Sequence, residues 1–219
     1  MYATISADIV SSTSLSVNET IALKKKMEKL FCLLEQKYPN FWGRQIKGDY
    51  IECLIPDVRQ VFRIALLLKM YVKSMDLKET KEKKLFQTYG IRMAVGIGNM
   101  RIVNRKEGIM DGEAIYFSGR GLENMGTPGK GTMTIDMSNT VLRNILHTVS
   151  TLTDALLNNA TRRQSEVLYY KLLGLSEQEI ADTMGIRQSG VNQHASAAKW
   201  YCIEEALDFF ENLNFTDYE

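Results

Sequence analysis

The chain has 219 residues, 45% of them hydrophobic, with 27 Lys/Arg against 26 Asp/Glu and a formal net charge of +1. That length allows one large or two smaller domains with a buried core. No apolar run approaches the ~18–20 residues of a membrane span, and the N-terminus opens into a strand pattern without a basic leader, so the expectation is a cytoplasmic protein with no membrane partner. The three cysteines, Cys32, Cys53 and Cys202, have neither metal spacing nor a Cys-x-x-Cys pair and read as buried thiols.

Tyr2 to Ile9 reads as a strand that carries Asp8 into the hydroxyl-rich run Ser11-Ser12-Thr13-Ser14. Ser16-x-x-Glu19 is a capping box opening a helix towards Lys37, with Ile21, Leu30, Leu33 and Leu34 among its apolar positions. Phe41 to Ile46 and Tyr50 to Ile55 flank Gly48-Asp49 as a hairpin, and Val58 to Tyr71 is helical by periodicity. Lys73 to Lys84 alternates in sign and predicts a solvated helix end or loop. Ile91 to Gly98 is an apolar strand, followed by a further β segment, a short helix and a last strand over Gly131 to Ile135. Gly126 to Thr132 has the wrong glycine spacing for a phosphate loop and leads into a strand, so it reads as a turn. The order βα, ββα, β predicts an α+β domain of ferredoxin-like type over 1–139, with helices on one face of a largely antiparallel sheet.

Asp8 and Asp49 stand where neighbouring strands end. Two carboxylates presented together there make a hard-oxygen site suited to Mg2+ or Mn2+. Taken singly, each is also ordinary turn chemistry. The order A-D-I-V-S-S-T, K-G-D, I-R-M-A-V-G-I-G and D-G-E-A-I-Y-F-S-G-R-G-L-E resembles the catalytic domain of class III adenylate/guanylate cyclases over about residues 1–137. In detail it is similar to the SatD-like proteins, which join such a domain to a helix-turn-helix.

The resemblance implies metal ligation by Asp8, Asp49 and the Ile9 carbonyl, and a transition-state arginine at Arg120. It also implies a nucleotide-facing set of Ser11, Ser12, Thr13, Gln45, Asp111 and Tyr116. Tyr116 replaces the ribose-positioning asparagine, Gln45 stands near the purine-reading lysine, and Ile109 stands near its partner aspartate, with Asp111 two residues on. The metal half of the pattern is therefore present and the base-reading half is altered. Without the resemblance, Arg120 reads equally well as a solvated residue or a partner of Glu123.

From Thr140 the pattern is helical, with Val141, Ile145, Val149 and Leu152 marking one face of a connector assigned to 140–160. Residues 161–219 read as an all-α domain with a C-terminal helix. One helix runs to Leu173, a second opens with the capping box Ser176 to Glu179 and stops at Gly185, and a third is anchored by Val191. The segment resembles region 4 of bacterial sigma factors and the LuxR-type helix-turn-helix. On the third helix Gln188, Ser189, Asn192 and Gln193 point away from the packing side towards base edges of double-stranded DNA, with Arg187 and Lys199 placed for phosphate. Residues 140–219 hold six Lys/Arg and eleven Asp/Glu, so a single copy is a weak binder and specific binding calls for a homodimer. The combined expectation is a DNA-binding regulator whose cyclase-like domain dimerises and senses a metal-nucleotide. The alternative is a divergent nucleotide cyclase with two metals at a homodimer interface, and a purely structural dimeriser is a third reading.

Overall fold

The computed structural model describes residues 1–46 and 48–215; Lys47 of the K-G-D run and residues 216–219 of the C-terminal segment lie outside the described residues. The first part contains β1 (Tyr2–Ile9), α1 (Val17–Lys37), β2 (Trp42–Gln45), β3 (Ile51–Ile55), α2 (Val61–Lys73), α3 (Lys84–Tyr89) and β4 (Ile91–Gly98). A two-stranded arm, β5 (Met100–Asn104) and β6 (Ile109–Gly112), leads into α4 (Glu113–Glu123) and β7 (Met133–Met137). The sheet order is β2-β3-β1-β4-β7, antiparallel except for the parallel β4–β7 pair. The chain is thus a mixed α/β structure, and among the described residues no helix is long and apolar enough to cross a membrane.

Alternation along β1 sets the two faces of the sheet. Ala3, Ile5, Ala7 and Ile9 face the main core with α1 and α2, while Thr4 and Ser6 face α4. Helices on one face were expected; α4 instead packs on the other. The reason is a strip of small and hydroxyl residues: Thr4 Oγ1 donates to the Ala114 carbonyl at 2.7 Å, and Thr4 and Ser6 both reach Ser118 Oγ, at 2.9 and 3.0 Å. A Cβ at Gly96 would lie 2.0 Å from the Ala114 carbonyl oxygen, so glycine is what lets α4 lie this close to β4.

Ser16 and Glu19 form the predicted capping box on α1, whose buried stripe is Leu23, Met27, Leu30, Phe31 and Leu34. Ile21, counted among the apolar positions of this helix from sequence, is 48% exposed. Cys53 is buried, but Cys32 is exposed and Cys202 intermediate, which corrects the expectation of three buried thiols.

After β7 come α5 (Thr140–Asn159), α6 (Arg162–Leu172), α7 (Glu177–Met184), α8 (Gln188–Ala197) and α9 (Trp200–Glu211). Capping boxes at Thr161/Gln164 and Ser176/Glu179 start α6 and α7, and Gly185 ends α7 in the left-handed conformation at φ 63°. Val167, Ile180, Ala181, Val191 and Ala195 form a small core where α6, α7 and α8 meet. That unit does not hang free. Eleven of the 13 residues of α2 are buried, because its inner side meets the sheet and its outer side meets α6 and α9. Phe62 stacks on Phe210 with centroids 5.2 Å apart, Tyr71 meets Tyr169 at 4.8 Å, and Arg63 holds Glu211 through Nε at 2.5 Å and Nη2 at 3.0 Å.

Candidate functional site

The strand register brings Asp8 of β1 opposite Arg92 of β4. Both carboxylate oxygens of Asp8 are engaged: Arg92 Nε donates to Oδ1 at 2.9 Å and Nη2 to Oδ2 at 2.5 Å. Asp49 adds to the negative field around the same guanidinium and accepts from Ser12 Oγ at 2.6 Å. The hydrogen bonds that Arg92 donates to Asp8, reinforced by both carboxylate charges, hold Arg92 protonated and push its pKa up. Arg92 Nη1 also reaches the carbonyls of Met125 and Gly126 just beyond α4, at 3.4 and 3.3 Å.

This donor set does not fit a divalent cation as it stands. Two carboxylates and one guanidinium sum to a single negative charge, and the cation contacting Asp8 is Arg92 itself. A metal there would have to displace a bidentate pair and then sit beside the displaced positive charge. Among the described residues no group of three or more His, Cys, Asp or Glu side chains is placed to share an ion.

The neighbouring positions have local roles. Ser11 takes the left-handed conformation at φ 52° and starts a short 3-10 turn over Ser12–Ser14 that contains Thr13, while its carbonyl accepts from Ser14 Oγ at 2.7 Å. Ile9 is 3% exposed and pairs with Ile91. Gln45 Nε2 donates to the Gly48 carbonyl at 2.5 Å, which commits the amide to its own hairpin turn, and its buried Oε1 has no hydrogen-bond partner among the described residues.

Asp111 and Tyr116, two further positions expected to face a nucleotide, gather elsewhere. Asp111 on β6 accepts from Tyr116 Oη at 2.8 Å and from Arg101 Nε at 2.5 Å, and these bonds lower its pKa and raise that of Tyr116. Arg120 lies one turn further along α4, with its guanidinium 5.8 Å from the centre of the Tyr116 ring. Asp111 and Tyr116 mark the N-terminal end of α4, whereas Arg92 touches the residues beyond its C-terminal end. At about 1.5 Å per residue, an 11-residue helix separates the two clusters by roughly 16 Å within one chain.

Arg92 is the residue that sequence reading missed. A lone arginine in an apolar strand was visible, but its partner depends on the antiparallel register between β1 and β4.

On the C-terminal side, Arg187, Gln188, Ser189, Asn192, Gln193 and Lys199 are all exposed, while Val191 and Ala195 of the same helix are buried at 0% and 5% exposure. Arg187 is the N-cap of α8 in extended conformation, and Lys199 sits at φ 59° between α8 and α9. His194 is partly buried on α8.

No known protein family matches this chain, and no curated protein does. Among solved structures, a bacterial light-regulated adenylyl cyclase is similar at 14% identity and a TM-score of 0.39, over 61% of this chain and 42% of that one. The chain therefore spans less than half the length of that protein.

Proposed function

We propose that this chain is a DNA-binding transcriptional regulator, in which α6 to α8 act as a helix-turn-helix and the α+β part is a ferredoxin-like, degenerate cyclase-type domain that dimerises. One observation carries the reading. Helix α8 offers an exposed face of amides and hydroxyls, Gln188, Ser189, Asn192 and Gln193, between exposed cations at Arg187 and Lys199. Amides pair with adenine edges in the major groove, and the flanking cations suit phosphates. A two-fold dimer would present two such helices to one operator and supply the affinity lacking in a single unit whose residues 161–199 hold five Lys/Arg against four Asp/Glu.

The alternative, a divergent nucleotide cyclase sharing its site across a homodimer, draws support from the separation of the Asp8 and Asp111 clusters along α4. Against it, Arg92 occupies both oxygens of Asp8, Gln45 is bound to its own turn, and Asp111 is tied to Arg101 and Tyr116. The side chains that metal catalysis and base reading need are thus already engaged, and the regulator reading is preferred.

The test is selection of genomic fragments by the purified protein, followed by gel shift on the enriched sequence. Asn192→Ala or Gln193→Ala is expected to cost about 1–3 kcal/mol and relax preference at one base pair. Arg187→Ala and Lys199→Gln should weaken binding to every sequence and flatten its salt dependence. Failure to enrich any fragment, or enrichment indifferent to all four substitutions, would sink the assignment.

A further inference from the structure

Helix α5 packs against the edge strand β7 through the side that carries Leu142, Leu146 and Leu157. Its opposite side is left bare. Val141, Ile145, Thr148, Leu152, Ala155 and Asn159 recur at alternating steps of four and three residues, and all six are exposed, the three large apolar ones at 66%, 43% and 65%. That is the heptad spacing by which one helix seats its side chains between those of another.

The seam carries no charge. Charged residues make up 24% of the chain, yet in its 20 residues α5 has only Arg143, Asp154 and the titratable His147. All three turn aside: Arg143 Nη1 lies 3.8 Å from Asp136, Asp154 is buried against Lys69, and His147 Nδ1 lies 3.2 Å from Thr134 Oγ1. The polar members of the seam bond their own helix. Thr148 Oγ1 donates to the Asn144 carbonyl at 2.8 Å and Asn159 Nδ2 to the Ala155 carbonyl at 3.0 Å, so covering them strands neither donor. An uncharged, heptad-spaced face offers nothing to a nucleic acid or a charged peptide. What it matches is another helix of the same kind.

We propose that α5 pairs antiparallel with α5 of a second copy of this chain about a two-fold axis. This deepens the reading of the regulator as a dimer, on which it rests, by naming the surface that joins the copies. Antiparallel pairing opposes Leu152 with Thr148, Ile145 with Ala155 and Val141 with Asn159 across the axis. The two largest side chains, Leu152 and Ile145, then each meet a smaller one, whereas parallel pairing would set Leu152 on Leu152 and Ala155 on Ala155 and leave the seam unevenly filled. It also lays each N-terminal end beside the other helix's C-terminal end, which the helix dipoles favour. At about 1.5 Å per residue α5 is roughly 30 Å long, and α6 starts directly after it. The two α6 helices would therefore begin on the order of 30 Å apart, near the roughly 34–36 Å between half-sites one turn apart on DNA. Three large apolar side chains per copy make a small interface, so association in the micromolar range is expected and the dilute chain is a folded monomer.

Sedimentation equilibrium of the full chain, from submicromolar to high micromolar concentration, is the experiment. The chain should pass from monomer to dimer, and Ile145→Glu and Leu152→Glu should each weaken the dimer by about a hundredfold or more, because two copies of the new charge enter an uncharged seam. Both positions are exposed, so the fold is kept, and an unchanged urea midpoint at submicromolar concentration verifies that. Orientation is read by oxidative cross-linking with Cys32 and Cys202 replaced by serine. Val141→Cys and Asn159→Cys proteins should link to each other when mixed, and neither should link to itself. A monomer at every concentration, or a dimer indifferent to both glutamates, overturns the proposal. Self-linked Val141→Cys overturns the antiparallel pairing. A monomer that floats with phosphatidylcholine vesicles unless Leu152 is replaced by Glu would make the seam a lipid contact and also overturn it. The two readings fail separately: fragment enrichment that depends on Asn192 in a monomeric protein removes this interface alone, and an α5 dimer that enriches no fragment removes DNA recognition alone.

Discussion

Lys69 and Lys73, one turn apart on α2, both point into the core, and their surroundings differ in one respect that matters. Lys69 has a counter-ion: its Nζ lies 3.0 Å from Asp154 Oδ1 and donates to Thr132 Oγ1 at 2.6 Å, while Asp154 also accepts from the Thr132 amide at 2.6 Å. Among the described residues, Lys73 has only the carbonyls of Thr88 and Asn158 as hydrogen-bond partners. Burial, and then the charge of Lys69, pull the Lys73 pKa from 10.5 down to about 7, against the weaker pull of Asp154. The unfolded chain keeps this proton up to about 10.5 and the folded chain begins to lose it near 7, so between those values the unfolded state binds more protons. Stability contributed through Lys73 should therefore rise with pH across that window, by an amount on the order of a few kcal/mol. Urea midpoints at pH 7, 8 and 9 test it: Lys73→Met should flatten the slope, and an equal slope in both proteins would contradict the placement. The sequence counted Lys73 into a solvated charge run. Its burial follows from carbonyls supplied by α3 and α5, which are distant in the chain.

Helix α5 shows which element-level features are readable from sequence and which are not. The periodicity of Val141, Ile145, Val149 and Leu152 pointed to one face, yet Val141, Ile145 and Leu152 are exposed at 66%, 43% and 65%. The buried face carries Leu142, Leu146, Ser150, Thr153, Asp154 and Leu157. Half of those residues are polar, because Asp154 must reach Thr132 and Lys69, and a polar half erases the hydrophobic stripe. Strand β1 and the capped helices were legible because alternation and capping boxes are local signals. The same locality explains the candidate site: Asp8 and Asp49 stood out as carboxylates at strand ends, while Arg92 as partner required the β1–β4 register. Leu146→Ala should cost about 2–5 kcal/mol through lost burial and a cavity, and Leu152→Ala within about 0.5 kcal/mol. Equal losses in chemical denaturation would mean that α5 is rotated from this placement.

At the scale of the whole molecule, a helical connector over 140–160 and a helix-turn-helix domain over 161–219 were expected, and the packing around α2 bears on how the two parts unfold. One core cluster runs from Ile5 and Phe62 through Leu157 and Leu168 to Phe210 and Phe215. Removing α5 to α9 would expose the outer side of α2 and leave Lys69 buried without Asp154, a loss of about 3–5 kcal/mol for the uncompensated charge alone. The chain also carries one tryptophan on each side of this junction, Trp42 on β2 and Trp200 at the start of α9. Because Phe62–Phe210 stacking and the Arg63–Glu211 pair join the halves, Trp42→Phe and Trp200→Phe proteins should give coincident fluorescence transitions in urea, as one cooperative unit does. Phe210→Ala should lower both midpoints together, by the equivalent of about 3–5 kcal/mol, since the stack supports both sides. A Trp200 signal that melts well before the Trp42 signal would instead make the C-terminal helices a separate folding unit, and the docking on α2 would then be too weak to carry any influence between the sheet and the exposed face of α8.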